Sequence, residues 1–379
     1  MISCDALFGI FSNNDITFFS GVPDSTFKDW MTYLAGNHGK KLTNIIACNE
    51  CEAVALAAGY HLATGKIGVI YMQNSGEGKA VNPLTSLCDP EVYSIPLIMM
   101  IGWRGEPGKT DEPQHKKMGR ITIPLLETLE VPFEIMPDEI KNAERTVTDI
   151  IKTARERGGP VALIIRGNTF EKYIAERSVA EDSAGEASMN REEAMRIIVD
   201  NLAGDEIIVS TTGKTSRELF ELRVRRGEQA SDFYTVGSMG CAVSIANAIA
   251  LSGRNKRVVV FDGDGAVLMQ MGSLATVGYY HAQNLYHIVY DNMSYDSTGG
   301  QPTTSSKVDF AKIALACNYK SAVTVNSEGE LKDEIDRLKR IAGPHMVIVR
   351  VKQGSRKDLG RPTKTPIENK EEFAWRLRQ

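Results

Sequence analysis

The stretch "ACNECEA" at residues 47–53 crowds two thiols and two carboxyls together: Cys48 and Cys51 form a Cys-x-x-Cys, with Glu50 inside it and Glu52 beside it. A zinc or redox role for the cysteines needs a second pair or a histidine set. None of the six histidines stands at a His-x-x-x-His or similar spacing. Gly213-Lys214-Thr215 resembles the end of a phosphate-binding P-loop, but Ile208 occupies the place of its required first glycine. Gly76-Glu77-Gly78 carries two glycines of a dinucleotide fingerprint and has Val81 where the third belongs. Ser210, Ser238 and Ser252 lack the Gly-x-Ser-x-Gly setting of a hydrolase nucleophile. More persists in Gly263-Asp264-Gly265, which follows an apolar run and opens a helical pattern. Past a second apolar run, 26 residues after Gly265, comes Asp291-Asn292-Met293-Ser294. Gly265 and Ala266 begin a helix whose free N–H groups can meet a phosphate. Taken alone, the tripeptide is also an ordinary strand-to-helix turn rich in Asp and Gly.

The elements that must position these residues alternate. Short β-branched or apolar runs at 16–21, 42–47, 67–72, 95–102 and 160–166 are separated by amphipathic helical patterns. Continuous apolar strands between helices predict a parallel sheet covered on both faces. Residues 175–190, "AERSVAEDSAGEASMN", then exchange large apolar side chains for Ala, Glu, Ser and Gly, the composition of a linker. The alternation resumes with strands at 206–211, 257–263, 285–292, 321–325 and 345–351. The reading is α/β with two parallel-sheet domains, 1–174 and 191–353, joined by 175–190, without a direct sequence repeat between them. A basic, proline-bearing C-terminal arm at 354–379 is expected to pack.

Composition narrows the partners. A formal net charge of −4, with 42% apolar and 24% charged residues, gives no basic surplus for nucleic acid or an anionic membrane. No run approaches the ~20 apolar residues of a membrane helix. The N-terminal "MISCDALFGIF" has an acid where a signal peptide carries a basic region. A cytoplasmic protein with six buried free thiols is the expectation.

The Gly-Asp-Gly and Asp-Asn-Met-Ser pair resembles the diphosphate-binding motif of thiamine-diphosphate-dependent enzymes. A diphosphate calls for a hard cation, and Mg²⁺ takes about six oxygens, few of them from protein. The resemblance implies that Asp264, the Asn292 side chain and the Ser294 carbonyl hold Mg²⁺, with Gly265 and Ala266 at the diphosphate. "VGSMGCAVSIANAIAL" resembles the segment that bends the cofactor. That implies Met239 as the apolar wedge and the Gly237 carbonyl as acceptor for the aminopyrimidine. "STTGKTSRE" would bring Thr212, Gly213 and Lys214 to the diphosphate, although a solvated helix start suits the lysine too. The family also needs a buried carboxyl at the pyrimidine N1′, with its pKa raised by desolvation. Helical face does not choose between Glu50 and Glu52. Asn49 reads as an N-cap, which gives Glu52 the N3 place of a capping box. In the family the activating glutamate lies nine residues before a Gly-Tyr pair, as Glu50 does before Gly59. The resemblance covers nearly the whole chain and implies a pyrimidine-binding domain, then a diphosphate-binding domain, without a middle one. It implies a homodimer at minimum, with Glu50 and the diphosphate site from different subunits; a tetramer is compatible.

"FSGVPDSTFKDW", "QNSGEGKAVNPLTSL" and "GWRGEPGKTDEPQHKKMGRIT" are similar to one subgroup, the phosphonopyruvate decarboxylases, with the sulfopyruvate decarboxylases as near relatives. The last segment sets Arg104, Lys109, Lys116, Lys117 and Arg120 against Glu106, Asp111 and Glu112, a surplus of two positive charges. A 2-oxo acid with a second anionic group needs such donors. Ser25, Arg104, Lys109 and Arg120 are the candidates for binding it, and Asp24 and His115 for moving the proton once CO₂ has left. The resemblance implies decarboxylation of 3-phosphonopyruvate to phosphonoacetaldehyde, drawing an unfavourable C–P bond-forming step forward in phosphonate biosynthesis. Sulfopyruvate decarboxylation, or carboligation on another 2-oxo acid, is the alternative. A non-catalytic cofactor-binding protein is a further one.

Overall fold

A computed structural model describes residues 1–174, 187–229, 231–252 and 256–379. The chain forms two compact units, Met1–Val179 and Ala180–Gln379. In the first, β1 (Phe18–Gly21), β2 (Thr43–Ile46), β3 (Gly68–Gln73), β4 (Leu97–Gly102), β5 (Phe133–Ile135) and β6 (Pro160–Ile165) form one sheet. Its order is β2-β1-β3-β4-β6-β5, and every pair is parallel. The apolar runs exist because the sheet is covered twice, and the strand period of two divides them. Val69, Tyr71, Ile98, Met100, Leu163 and Ile165 enter one core cluster, while Ile70, Met72, Leu97, Met99, Ala162 and Ile164 enter the other.

The second unit contributes β7 (Ile207–Ser210), β8 (Phe233–Tyr234), β9 (Val258–Gly263) and β10 (Leu285–Asp291). After a small antiparallel hairpin of β11 (Ser294–Tyr295) and β12 (Gln301–Pro302) come β13 (Ser321–Val325) and β14 (His345–Arg350). The main sheet runs β13-β14-β10-β9-β7-β8, all parallel. Read from its other edge, this is the strand order of the first sheet, so one topology occurs twice without a sequence repeat.

The predicted two-sheet α/β class is correct. Besides the two-residue strands β11 and β12 of the hairpin, two strands of the main sheets went unpredicted, β5 and β8. Both are edge strands, of three and two residues, too short to show a period. Of the expected linker, residues 175–186 lie outside the described residues; at its end Asn190 caps the helix Arg191–Asn201 with a complete capping box. The C-terminal arm ends in the helix Pro366–Arg378. Asn369 accepts from the Tyr234 N–H at 3.2 Å and donates to the Asp232 carbonyl at 2.8 Å, extending the β8 edge. Among the described residues no helix is long and apolar enough to cross a membrane.

In each sheet the first strand sends the chain to opposite sides: β1 lies between β2 and β3, and β7 between β8 and β9. Ligands in open α/β sheets bind outside the carboxyl ends at such a switch point. Asp24, Glu50, Gly76 and Arg104 follow β1, β2, β3 and β4, and Thr212, Gly237, Asp264 and Asn292 follow β7, β8, β9 and β10.

Candidate active site

In the first unit the two glutamates of the opening turn have parted. Asn49 Oδ1 accepts from the Glu52 N–H at 3.0 Å, and Glu52 Oε2 accepts from the Cys48 N–H at 2.7 Å. Glu52 is exposed, and Asn49 is the N-cap of the helix Glu50–Thr64; the expected capping box is not completed, because the Glu52 carboxylate takes the Cys48 N–H in place of the Asn49 N–H. Glu50 is buried, and its Oε2 has no hydrogen-bond partner. Burial raises its carboxyl above the ordinary range, against the pull of Lys79, whose Nζ lies 4.0 Å away. Gly76 makes the room: a Cβ there would sit 2.5 Å from Glu50 Cγ and 2.6 Å from Cδ. The thiols correct an expectation. All six are free, but only Cys4 and Cys88 are buried, and Cys51 is exposed. A helix start with small residues on both sides gave no face from which to tell this.

Beside Glu50's helix, the ends of β1, β3 and β4 gather a polar cluster. Asp24 is fully buried, accepts from Gln73 Nε2 at 2.9 Å and leaves Oδ2 unpartnered. Burial raises its carboxyl, against the Gln73 hydrogen bond and the field of Arg104. Any side chain on Gly102 would collide with Asp24 Oδ2. Arg104 donates Nη1 to Ser25 Oγ at 3.1 Å and is gripped by Asp111, which also takes His115 Nδ1 at 2.9 Å. Four of the candidate substrate residues, Asp24, Ser25, Arg104 and His115, therefore meet. Lys109 and Arg120 do not join them. Lys109 is exposed and pairs with Glu106 at 2.5 Å, three residues away, and Arg120 lies on the exposed face of the helix Pro113–Thr128. Charge counting had no means of giving their direction.

In the second unit Asp264 opens the helix Asp264–Met269 and is buried; its Oδ2 accepts from Thr303. Burial raises its carboxyl, and the neighbouring Asp291 raises it further. Asp291 is itself tied to Arg350 and accepts from Ser305 Oγ at 2.8 Å. Asn292 Oδ1 accepts from the Ser294 N–H at 3.0 Å, and its Nδ2 donates to Asp296 at 2.7 Å. Between them Met293 takes a left-handed φ of 56°, a strain of about 1–2 kcal/mol for a residue with a side chain. Lys214, half-buried, reaches the Asp296 carbonyl at 3.2 Å, and so comes to the same turn as Asn292. Gly213 just before it has φ 88°. The loop holding Gly237 and Met239 closes over the Gly-Asp-Gly turn: a Cβ on Gly265 would lie 3.3 Å from Met239 Cε and 2.8 Å from Tyr295 Cε1.

Two family models match the chain: the N-terminal TPP binding domain of thiamine pyrophosphate enzymes over residues 3–121, and their C-terminal TPP binding domain over 211–349. The phosphonopyruvate decarboxylase of Streptomyces viridochromogenes is 35% identical, covering 93% of this chain and 89% of its own length. The chain belongs to the phosphonopyruvate decarboxylase family. The Streptomyces hygroscopicus member is 34% identical over 97% of this chain and 92% of its own length. A sulfopyruvate decarboxylase of Methanosarcina acetivorans is 28% identical over 81% of each. The chain is thus a thiamine-diphosphate-dependent decarboxylase, with both cofactor-binding domains in one chain.

The residues present fit the family's cofactor. A buried carboxyl without a hydrogen-bond partner, at Glu50, is what a pyrimidine nitrogen would satisfy. The buried Asp264, opposed by Asp291, is a carboxylate that a cation would relieve. The Asn292 amide oxygen keeps a lone pair beyond its bond to Ser294. Among the described residues no three His, Cys, Asp or Glu side chains group as a metal site, and the implied Mg²⁺ set asks for one carboxylate only. Reading the sequence passed over Asp111, Gln73, Thr303 and Ser305. Their spacings follow no periodic rule, and only the fold brings them to the site.

Proposed function

We propose that this decarboxylase converts 3-phosphonopyruvate to phosphonoacetaldehyde and CO₂ with thiamine diphosphate and Mg²⁺, within phosphonate biosynthesis. The observation that carries the reading is likeness over nearly the whole chain to two Streptomyces enzymes named for that substrate. When bound, the cofactor supplies the electron sink that accepts the pair left as CO₂ departs. Asp264, Asn292 and the Ser294 carbonyl would hold Mg²⁺, with Gly265, Ala266, Thr212 and Gly213 at the diphosphate. Met239 would support the bent cofactor, and the Gly237 carbonyl would take an amino proton of its pyrimidine. Glu50 holds a proton for N1′, a task its burial suits, since desolvation keeps the acid protonated nearer neutrality. Arg104 and Ser25 bind the phosphonate. His115 and Asp24 manage the proton delivered to the carbon that has lost CO₂. Glu50 and Asp264 act from different subunits of a homodimer or larger assembly.

The reading is tested by incubating the reconstituted protein with 3-phosphonopyruvate, sulfopyruvate and pyruvate in turn and trapping the aldehyde. Phosphonopyruvate should give the highest kcat/KM. Faster turnover of sulfopyruvate would move the assignment to the second reading, which the Methanosarcina relative favours. Cofactor binding without turnover of any 2-oxo acid would leave a non-catalytic binding protein.

A further inference from the structure

Asp111 lies on the segment leading into the helix Pro113–Thr128, and its two carboxyl oxygens collect five N–H donors. Oδ1 receives Arg104 Nη2 at 2.6 Å, the Glu112 amide at 2.7 Å and His115 Nδ1 at 2.9 Å; Oδ2 receives Arg104 Nε at 2.9 Å and the Gly105 amide at 2.7 Å. Burial opposes its charge, yet the bonds from Arg104, His115 and the two amides outweigh burial and hold the carboxyl well below the usual range. An ionised carboxylate only accepts. The proton on the shared edge therefore belongs to His115 Nδ1, and in the neutral ring Nε2 is left bare. Among the described residues the hydrogen bond of the His115 ring is the one Nδ1 makes to Asp111.

The same grip orients Arg104. Its guanidinium has five N–H bonds. Asp111 takes one from Nε and one from Nη2, and Ser25 takes one from Nη1. Two remain, one on each terminal nitrogen, available to donate to an anion's oxygens.

We propose that Asp111 is the positioning residue of the substrate site: one carboxylate sets the His115 tautomer that presents a basic Nε2 and aims the two remaining N–H bonds of Arg104 at the substrate's second anionic group. This rests on the reading that Arg104 and His115 serve the decarboxylation. A mere surface ion pair would show neither the two backbone amides nor the imidazole on the same carboxylate. Orientation of an imidazole by a carboxylate on its far nitrogen is a recurrent device for fixing which nitrogen does chemistry.

Asp111→Asn gives a discriminating test because neither flip of the amide fits. With NH₂ at the Oδ1 place it faces Arg104 Nη2, the Glu112 amide and His115; at the Oδ2 place it faces Arg104 Nε and the Gly105 amide. The full-length protein, labelled with ¹⁵N-histidine and without substrate, is followed by two-dimensional NMR, with His115→Gln locating the signal among six histidines. At the alkaline limit the wild type should show the Nδ1–H form. Asp111→Asn should shift the population toward Nε2–H, and Asp111→Glu should restore it in part. In the reconstituted enzyme Asp111→Asn should both raise KM and lower kcat, for a combined loss of about 10- to 100-fold in kcat/KM. A folded Asp111→Asn with the wild-type tautomer and unchanged kinetic constants overturns the proposal. If the wild type turned over no 2-oxo acid, the functional reading would fall, while the tautomer comparison would still decide whether Asp111 orients His115.

Discussion

Gly76→Ala separates the position of Glu50, the carboxyl proposed to activate the cofactor, from its chemistry. The backbone at Gly76 has φ −82° and ψ −16°, a conformation open to any residue, so the added methyl acts by collision alone. It would lie 2.5 Å from Glu50 Cγ and 2.6 Å from Cδ, where ordinary contact begins at 3.4 Å. Either the glutamate retreats by about 1 Å or the turn after β3 shifts, at an overpacking cost of about 1–3 kcal/mol. A 1 Å displacement of a catalytic group costs on the order of 10²-fold in rate. Gly76→Ala should therefore bind thiamine diphosphate by calorimetry, melt somewhat lower, and lose about 10²-fold in kcat while retaining every ionisable group. Gly78→Ala, whose methyl would meet nothing within 4 Å, is the matched control. A Gly76→Ala enzyme with kcat within about twofold of wild type would refute both the placement of Glu50 against Gly76 and the need for that placement.

Glu50→Gln should keep cofactor affinity and lower turnover by about 10²- to 10⁴-fold, whereas Glu52→Gln, which leaves the Asn49 cap intact and keeps an acceptor for the Cys48 N–H, should cost no more than about 1 kcal/mol of stability; reversed outcomes would exchange the two roles. Asp264→Ala should abolish Mg²⁺-dependent retention of the cofactor on gel filtration, and retention equal to wild type would remove Asp264 from the metal set. Mixing Glu50→Gln with Asp264→Ala chains should restore roughly a quarter of wild-type activity if each site draws on two subunits of a dimer, and none if one chain supplies both. Glu77, buried with both carboxyl oxygens unpartnered, is pushed by burial up to about 8 from 4.5. Because the folded state holds this proton longer than the unfolded chain, stability falls as pH rises through that window. Glu77→Gln should match wild type near pH 4.5 and exceed it by about 3–5 kcal/mol near pH 8 in calorimetric scans; a pH-independent difference would contradict the burial argument.

What could be read beforehand was whatever local chemistry dictates. Asn49 placed three residues before Glu52 has a capping meaning in any fold, and it separated the two glutamates correctly as to the cap. Long apolar runs located β3, β4, β6, β9, β10 and β14 because burial on both faces leaves no choice of side chain. Strand order was not legible, since crossover connections of similar length serve neighbours on either side. Nor was the direction of a charge. Asp111 entered the count as one negative charge diluting a basic segment, yet it organises that segment. Lys109, counted as an asset, is held by Glu106, and Cys51 faces solvent because nothing in its turn distinguishes one helical face from another.

The carboxyls Asp24, Glu50, Glu77 and Asp111 fall into two kinds, and the division follows from their donors. Asp24, Glu50 and Glu77 lie just beyond the ends of β1, β2 and β3, each with at least one oxygen lacking a hydrogen bond, and burial raises all three. Ionised and unpaired, such groups are costly, which is why burial pushes each carboxyl upward, against the Gln73 bond and Arg104 at Asp24 and against Lys79 at Glu50. Gly76 and Gly102 stand where a side chain would displace Glu50 and Asp24, and Gly76 costs backbone entropy without any unusual φ to justify it. Asp111, on the segment between β4 and the helix Pro113–Thr128, is surrounded by donors and stays an anion. A fold selected for stability alone would have replaced the first three with apolar residues of similar volume. Acids raised by burial at the strand ends, beside a carboxylate that its donors hold as an anion next to the imidazole and guanidinium, suit the proposed proton-transfer site, because acid and orienting base must differ in proton affinity.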